Sequence, residues 1–246
     1  MTYIEEIAEL EREGARVASL LDPATFSTTV PTCPEWTIEK LAAHVGRVHR
    51  WSQYVVAHQS AARPVAEEMN LSCGPVSASW LEDGVARLVA TLRSTAPDTP
   101  MWVWGEDPRA AWWARRQLHE TLVHRLDLEI ALGRSHDVEP RWAMDAIDEF
   151  LANANAARAF SKGFTQLTRS GTIAFVATDS EQRTSITVLP DGTLAQTDSA
   201  PDVVVEGHSL ALLLTVLRRT NGREVELAMS GDVDLAHHWF ECSALE

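Results

Sequence analysis

The chain has 246 residues, 45% hydrophobic and 23% charged, enough to bury a core in one large domain or two modest ones. Its 35 acidic residues against 21 basic ones leave a net charge of −14, which excludes the basic face that nucleic acid binding needs. No run approaches the roughly 20 apolar residues of a membrane span, and the start, MTYIEEIAELEREGAR, is too acidic for a signal or transit peptide, so a cytoplasmic protein is expected.

The first 135 or so residues read as helical. Residues 2 to 22 place Ile4, Ile7, Ala8 and Ala15 on one face with acidic residues opposite. The passage TFSTTVPTCPEWT is rich in turn residues, and Pro31 and Pro34 forbid a continuous helix there. Thr37 then serves as the N-cap of a second helix running to about residue 61. A third helix is predicted over 77–95, and a fourth over about 109–132 that ends at Gly133, a C-cap position. Four amphipathic helices with long connections predict a four-helix bundle. Seven of the nine tryptophans (Trp36, Trp51, Trp80, Trp102, Trp104, Trp112 and Trp113) fall in this half, which suits a heavy core or a deep apolar cavity.

After residue 140 the pattern changes. A helix over 141–160 leads to short alternating runs at 172–178, 184–190 and 202–207, with a hairpin signal at Asp191-Gly192. A helix over 209–219, a strand over 225–231 and a short helix opened by Asp232 complete the chain. The expected class is α+β with two domains: a bundle over 1–138, and a small α+β domain over 139–246 with a mostly antiparallel sheet. Cys33, Cys73 and Cys242 are odd in number and lack C-x-x-C spacing, so neither a disulfide framework nor a thiolate cluster is expected. Cys33, set among prolines, reads as structural. Any metal must rely on histidine and carboxylate.

The segment WWARRQLHETLVHRLDLE carries the chemistry. On a helix, Glu120 and His124 are i and i+4 and share a face, with Arg116 one turn earlier and Asp127 further along the stripe. His119 is about 100° away from Glu120. The two histidines are five apart, so this is not the H-E-x-x-H zinc protease motif. In LAAHVGRVHRW, His44 lies on the inward face defined by Leu41, Val45 and Val48, whereas His49, beside Arg50, reads as solvated. His44, Glu120 and His124 together form a two-histidine, one-carboxylate set that leaves open positions on a divalent metal, as catalytic zinc sites do.

The strings PTCPEWTIEKLAAHVGRVHRW and WWARRQLHETLVHRLD resemble the mycothiol-dependent maleylpyruvate isomerase family, whose N-terminal domain is a DinB-like metal-binding four-helix bundle. APDVVVEGHSLALLLTVLRR and ELAMSGDVDLAHHWF resemble the family's C-terminal domain, similar to sterol carrier proteins. The resemblance implies zinc on His44, Glu120 and His124. It also implies an arginine at the end of a C-terminal-domain helix that holds an anionic substrate. That residue is Arg219, with Arg218 standing where the family pattern has glycine, although a helix C-terminal arginine also suits the macrodipole without any substrate.

The reaction implied is chemistry on mycothiol: a metal-stabilised thiolate adds to a conjugated cis double bond, the resulting single bond rotates, and the thiol leaves. Arg116 or Arg219 would bind a substrate carboxylate. Asp127 would orient His124, or else pair with Arg125 or Arg116 at the surface. The same site would serve a mycothiol S-transferase acting on another electrophile, or a hydrolase using metal-bound water. A non-catalytic apolar-ligand module would instead close the metal with a fourth ligand, from His49 or Asp127. A small electrophile and the thiol are the expected partners, and the chain is expected to be monomeric.

Overall fold

The computed structural model describes residues 1–65, 74–158, 166–196, 199–220 and 225–243. Cys73 and the last two residues of the helix expected over 141–160 lie outside the described residues. The chain divides into two compact units, Met1–His136 and Asp137–Glu246.

The first unit is a four-helix bundle. Helix α1 (Tyr3–Ser19) starts at a capping box in which the Thr2 hydroxyl accepts from Glu5 N–H and the Glu5 carboxylate accepts from Thr2 N–H. Its inward face is Ile7, Leu10, Gly14, Val17 and Ala18; Ile4 is 63% exposed and Ala15 is exposed, so the expected stripe is rotated. The acidic residues are not all outside either. Glu13 is buried because Arg125 donates to it from the neighbouring helix at 2.8 Å.

Helix α2 (Ile38–His58) is capped by Thr37 as expected and stops at Gln59, which takes a left-handed conformation. Helix α3 (Ala78–Arg93) is capped by Ser77. Helices α2 and α3 approach closely at Gly46, where a Cβ would lie 2.0 Å from the Trp80 ring, so only glycine fits against that indole. Helix α4 (Ala110–Ala131) ends in a Schellman motif at Gly133 (φ 64°), with Arg134 N–H donating to Glu129 O and Gly133 N–H to Ile130 O.

The turn-rich passage before α2 is a small antiparallel hairpin, β1 (Thr29–Val30) and β2 (Cys33–Thr37), joined by Pro31-Thr32. Strands of two and five residues containing a proline carry no alternating signal, and Pro34 is tolerated because this two-stranded sheet is all edge.

The second unit is α+β. Helix α5 (Pro140–Ala157) is followed by β3 (Gly171–Ala177), β4 (Arg183–Val188), β5 (Leu194–Gln196) and β6 (Val203–Gly207). Helix α6 (Ser209–Val216), β7 (Ala228–Gly231) and α7 (Val233–Cys242) follow. The sheet order is β5-β4-β3-β6-β7, antiparallel except for the β3–β6 pair, and Gly192 (φ 78°) turns the β4–β5 hairpin. The two-domain α+β class, with a bundle followed by a mostly antiparallel sheet, is as expected. Among the described residues, no helix is long and apolar enough to cross a membrane.

Candidate metal centre

Helix α4 is buried on nearly every side from Ala110 to Ile130, so its polar residues cannot all point to solvent. Gln117, His119, Thr121, His124, Arg125, Asp127 and Glu129 are each less than 9% exposed. Buried polar groups need partners or a function, and most of the partners converge in two places.

The first is a clamp to α1: Arg125, fully buried, donates to Glu13 at 2.8 Å and to Glu129 at 2.5 Å. The second is the candidate site. His44 from α2 and Glu120 and His124 from α4 place their ligand atoms within 4.8 Å of one another, the sole such group of three among the described residues. The Nε2 atoms of His44 and His124 lie 2.7 Å and 3.3 Å from the same Glu120 oxygen, Oε1. Ligands about 2.05 Å from a tetrahedral zinc are about 3.3 Å apart. The His124–Glu120 separation already matches such an edge, and the donor set therefore fits a divalent metal.

Charges around the cluster are balanced. Arg116 donates to the other Glu120 oxygen, Oε2, and its guanidinium also lies 5.8 Å from the Trp104 ring centroid. Burial works to raise the Glu120 pKa, but Arg116 and the two imidazoles outweigh it and hold the carboxyl well below its usual range. Burial likewise works to lower His124, yet its bonds to Asp127 and Glu120 prevail and raise it to about 9. A metal bound at His124 would therefore have to displace a proton.

Asp127 is no surface residue. It is fully buried, its Oδ2 accepts from His124 Nδ1 at 2.9 Å, and its Oδ1 accepts from the Thr32 hydroxyl. His49 is not solvated as expected: it is 1% exposed, and its Nε2 lies 2.8 Å from Thr121 Oγ1. That hydroxyl gives its proton to Gln117 O, so His49 Nε2–H is the donor, and burial depresses its pKa to about 4. The α2 periodicity did put residue 49 inside, since Val45, Ser52 and Val56 on its flanks are buried. Neither His49 nor Asp127 belongs to the three-residue cluster.

The hairpin supplies two residues the sequence did not single out for the site. Thr32 bonds Asp127, and the Trp36 ring lies 4.8 Å from the His44 ring and 5.9 Å from the His124 ring. The available signal was the short turn Pro31-Thr32 leading back into α2, which sets Trp36 near the start of the helix that bears His44.

Residues 7–129, which contain the whole cluster, match the family model described as the mycothiol maleylpyruvate isomerase N-terminal domain. The chain belongs to the mycothiol maleylpyruvate isomerase family. Residues 141–238 match the family's C-terminal domain model. Two crystal structures of the mycothiol-dependent maleylpyruvate isomerase, one carrying a histidine-to-alanine substitution, share the fold. Each is 17% identical, with TM-scores of 0.59 and 0.58, over 94% of this chain and 93% of the other. Nothing among the curated proteins matches.

In this family member Arg219 is not the last residue of its helix. Helix α6 ends at Val216, Arg218 adopts φ 57°, and a second Schellman motif forms: Arg219 N–H donates to Leu214 O and Arg218 N–H to Thr215 O. The expected helix over 209–219 is shortened for that reason. The left-handed position is the one where the family pattern has glycine, so the departure at Arg218 replaces the residue without changing the turn. The Arg219 side chain folds back, with Nη1 donating to Leu217 O at 2.9 Å.

Proposed function

We propose that this chain is a metal-dependent enzyme that uses mycothiol, and that its reaction is a maleylpyruvate-type cis–trans isomerisation. The observation that carries the reading is the convergence of two imidazoles and one carboxylate from facing helices, with the two other nearby candidates, His49 and Asp127, engaged elsewhere. Three protein ligands leave a coordination position for an exogenous group, as catalytic sites require. A divalent metal held there, zinc as the family resemblance implies, would supply a Lewis acid that keeps a thiol deprotonated near neutral pH.

The chain's own residues prepare that centre. Asp127 accepts a hydrogen bond from His124 Nδ1–H and so fixes Nε2 as the ligand nitrogen. Arg116 holds Glu120 Oε2 and leaves Oε1 between the imidazoles. Trp36 covers one side of both rings with apolar surface. The family resemblance supports Arg219 for the anionic end of the substrate; Arg116, at the cluster itself, is the other candidate.

A mycothiol S-transferase needs the same centre, and the half-buried Trp104 beside Arg116 would suit a larger electrophile. The deciding experiment pairs elemental analysis of wild type and Glu120→Ala with an ultraviolet assay of maleylpyruvate decay, with and without mycothiol. Stoichiometric metal lost in the variant, with thiol-dependent decay, is the expected result. Metal without decay moves the assignment to the transferase. Wild type that takes up no zinc on reconstitution refutes the metal centre.

A further inference from the structure

The β1–β2 hairpin touches the metal cluster by two routes, neither of which is a ligand. Thr32 is one of the two residues of the hairpin turn, yet its hydroxyl does not cap its own turn. It reaches α4 and donates to Asp127 Oδ1, while Asp127 Oδ2 accepts a hydrogen bond from His124 Nδ1–H. The carboxylate is fully buried, so each oxygen must be satisfied by protein. From the same hairpin the Trp36 ring packs on His44 and His124.

We propose that Thr32 is a positioning residue for the metal centre, holding Asp127 so that His124 keeps its proton on Nδ1 and offers Nε2 to the metal. The inference rests on the metal-centre reading above. It makes the hairpin a working part of the site, because the chain Thr32–Asp127–His124 runs from the turn to the ligand without a gap. The Thr32 bond adds a fixed point on the carboxylate oxygen that does not meet the imidazole, and so opposes rotation about the Cβ–Cγ bond. Outer partners of ligating histidines typically contribute about 10- to 100-fold to metal affinity.

The test is zinc affinity, measured by competition with a chromophoric chelator on the full chain. Thr32→Val, which replaces the hydroxyl by a methyl of similar size, is expected to weaken zinc about 10-fold, the lower end of that range, because it acts through Asp127. Thr32→Ser, which restores the hydroxyl, should stay within about twofold of wild type, a rescue that a purely structural turn residue would not show. In a double-mutant cycle, Thr32→Val should add nothing to Asp127→Asn, because it acts through that carboxylate.

A second readout needs no metal: the slowly exchanging His124 Nδ1–H resonance of the metal-free protein should persist in Thr32→Ser and be lost in Thr32→Val. Where Thr32→Val does not keep the helical far-ultraviolet signal, Thr32→Ala takes its place. Undiminished affinity in the hydroxyl-free variant, failure of serine to rescue, or full additivity with Asp127→Asn overturns the proposal while leaving the metal centre standing. Absence of zinc binding in wild type overturns both.

Discussion

Two buried histidines give the metal-free protein opposite pH dependences on either side of pH 6.5. His124 is raised to about 9 in the fold by the carboxylates of Asp127 and Glu120, against an ordinary value of 6.5. The folded state therefore holds this proton more tightly than the unfolded chain. The stability it contributes is fully present below pH 6.5 and is lost as pH rises through about 9. At about 1.4 kcal/mol per pH unit, the full effect is roughly 3 kcal/mol. His49 runs the other way. Burial lowers it to about 4, so its contribution is present above pH 6.5 and is lost as pH falls toward 4, again by roughly 3 kcal/mol.

The metal-free protein should thus be most stable near pH 6.5. Urea unfolding followed by tryptophan fluorescence, which reports mainly the first unit because seven of nine tryptophans lie there, measures both limbs. His124→Gln should remove the alkaline limb and His49→Gln the acid one. Saturating metal, which requires neutral His124, should flatten the alkaline limb, with apparent affinity rising as pH approaches 9. A metal-free protein equally stable at pH 6.5 and 9, or an alkaline limb that survives His124→Gln, would refute the charge assignment of the cluster.

Three further outcomes follow from the packing. Arg125→Ala leaves Glu13 and Glu129 as buried, uncompensated carboxylates and should destabilise the first unit by about 3–5 kcal/mol in urea unfolding. Gly46→Ala forces a Cβ into the Trp80 ring and should reduce stability by about 1–3 kcal/mol, with a change in the near-ultraviolet tryptophan signal. Arg218→Gly relieves the left-handed strain at the end of α6 and should stabilise the second unit by up to about 1 kcal/mol, part of the relief being offset by the freer unfolded chain. An unchanged or lower midpoint for that variant would contradict the strain argument.

The site was legible in the sequence where helix periodicity governs it. Glu120 and His124 share a face because they are one turn apart, and His44 points inward with Leu41 and Val45. What remained hidden came from contacts that periodicity does not encode. His49 was misread because its neighbour Arg50 suggested solvent, whereas the arginine itself turns onto Trp80, 4.1 Å from the ring, and the histidine turns inward to Thr121. Local spacing offers Asp127 two roles, His124 or a nearby arginine, while its partner Thr32 is 95 positions away on a hairpin too short to announce itself. Glu13 was placed outside for the same kind of reason: its cation lies on another helix, 112 positions away.

These long-range partners also explain why α4 tolerates so many polar residues in its buried turns. A helix buried all round and purely apolar would pack as well but could slide or rotate among equivalent positions. Here Arg125 fixes its rotation against α1, Thr121 fixes it against α2 through His49, and Asp127 fixes it against the hairpin. Each bond lies within one or two turns of Glu120 and His124. The metal centre proposed for these residues would need its ligands held to fractions of an ångström before a metal arrives, and the three contacts act in different directions. The three directions together leave α4 one orientation, in which Glu120 and His124 face His44.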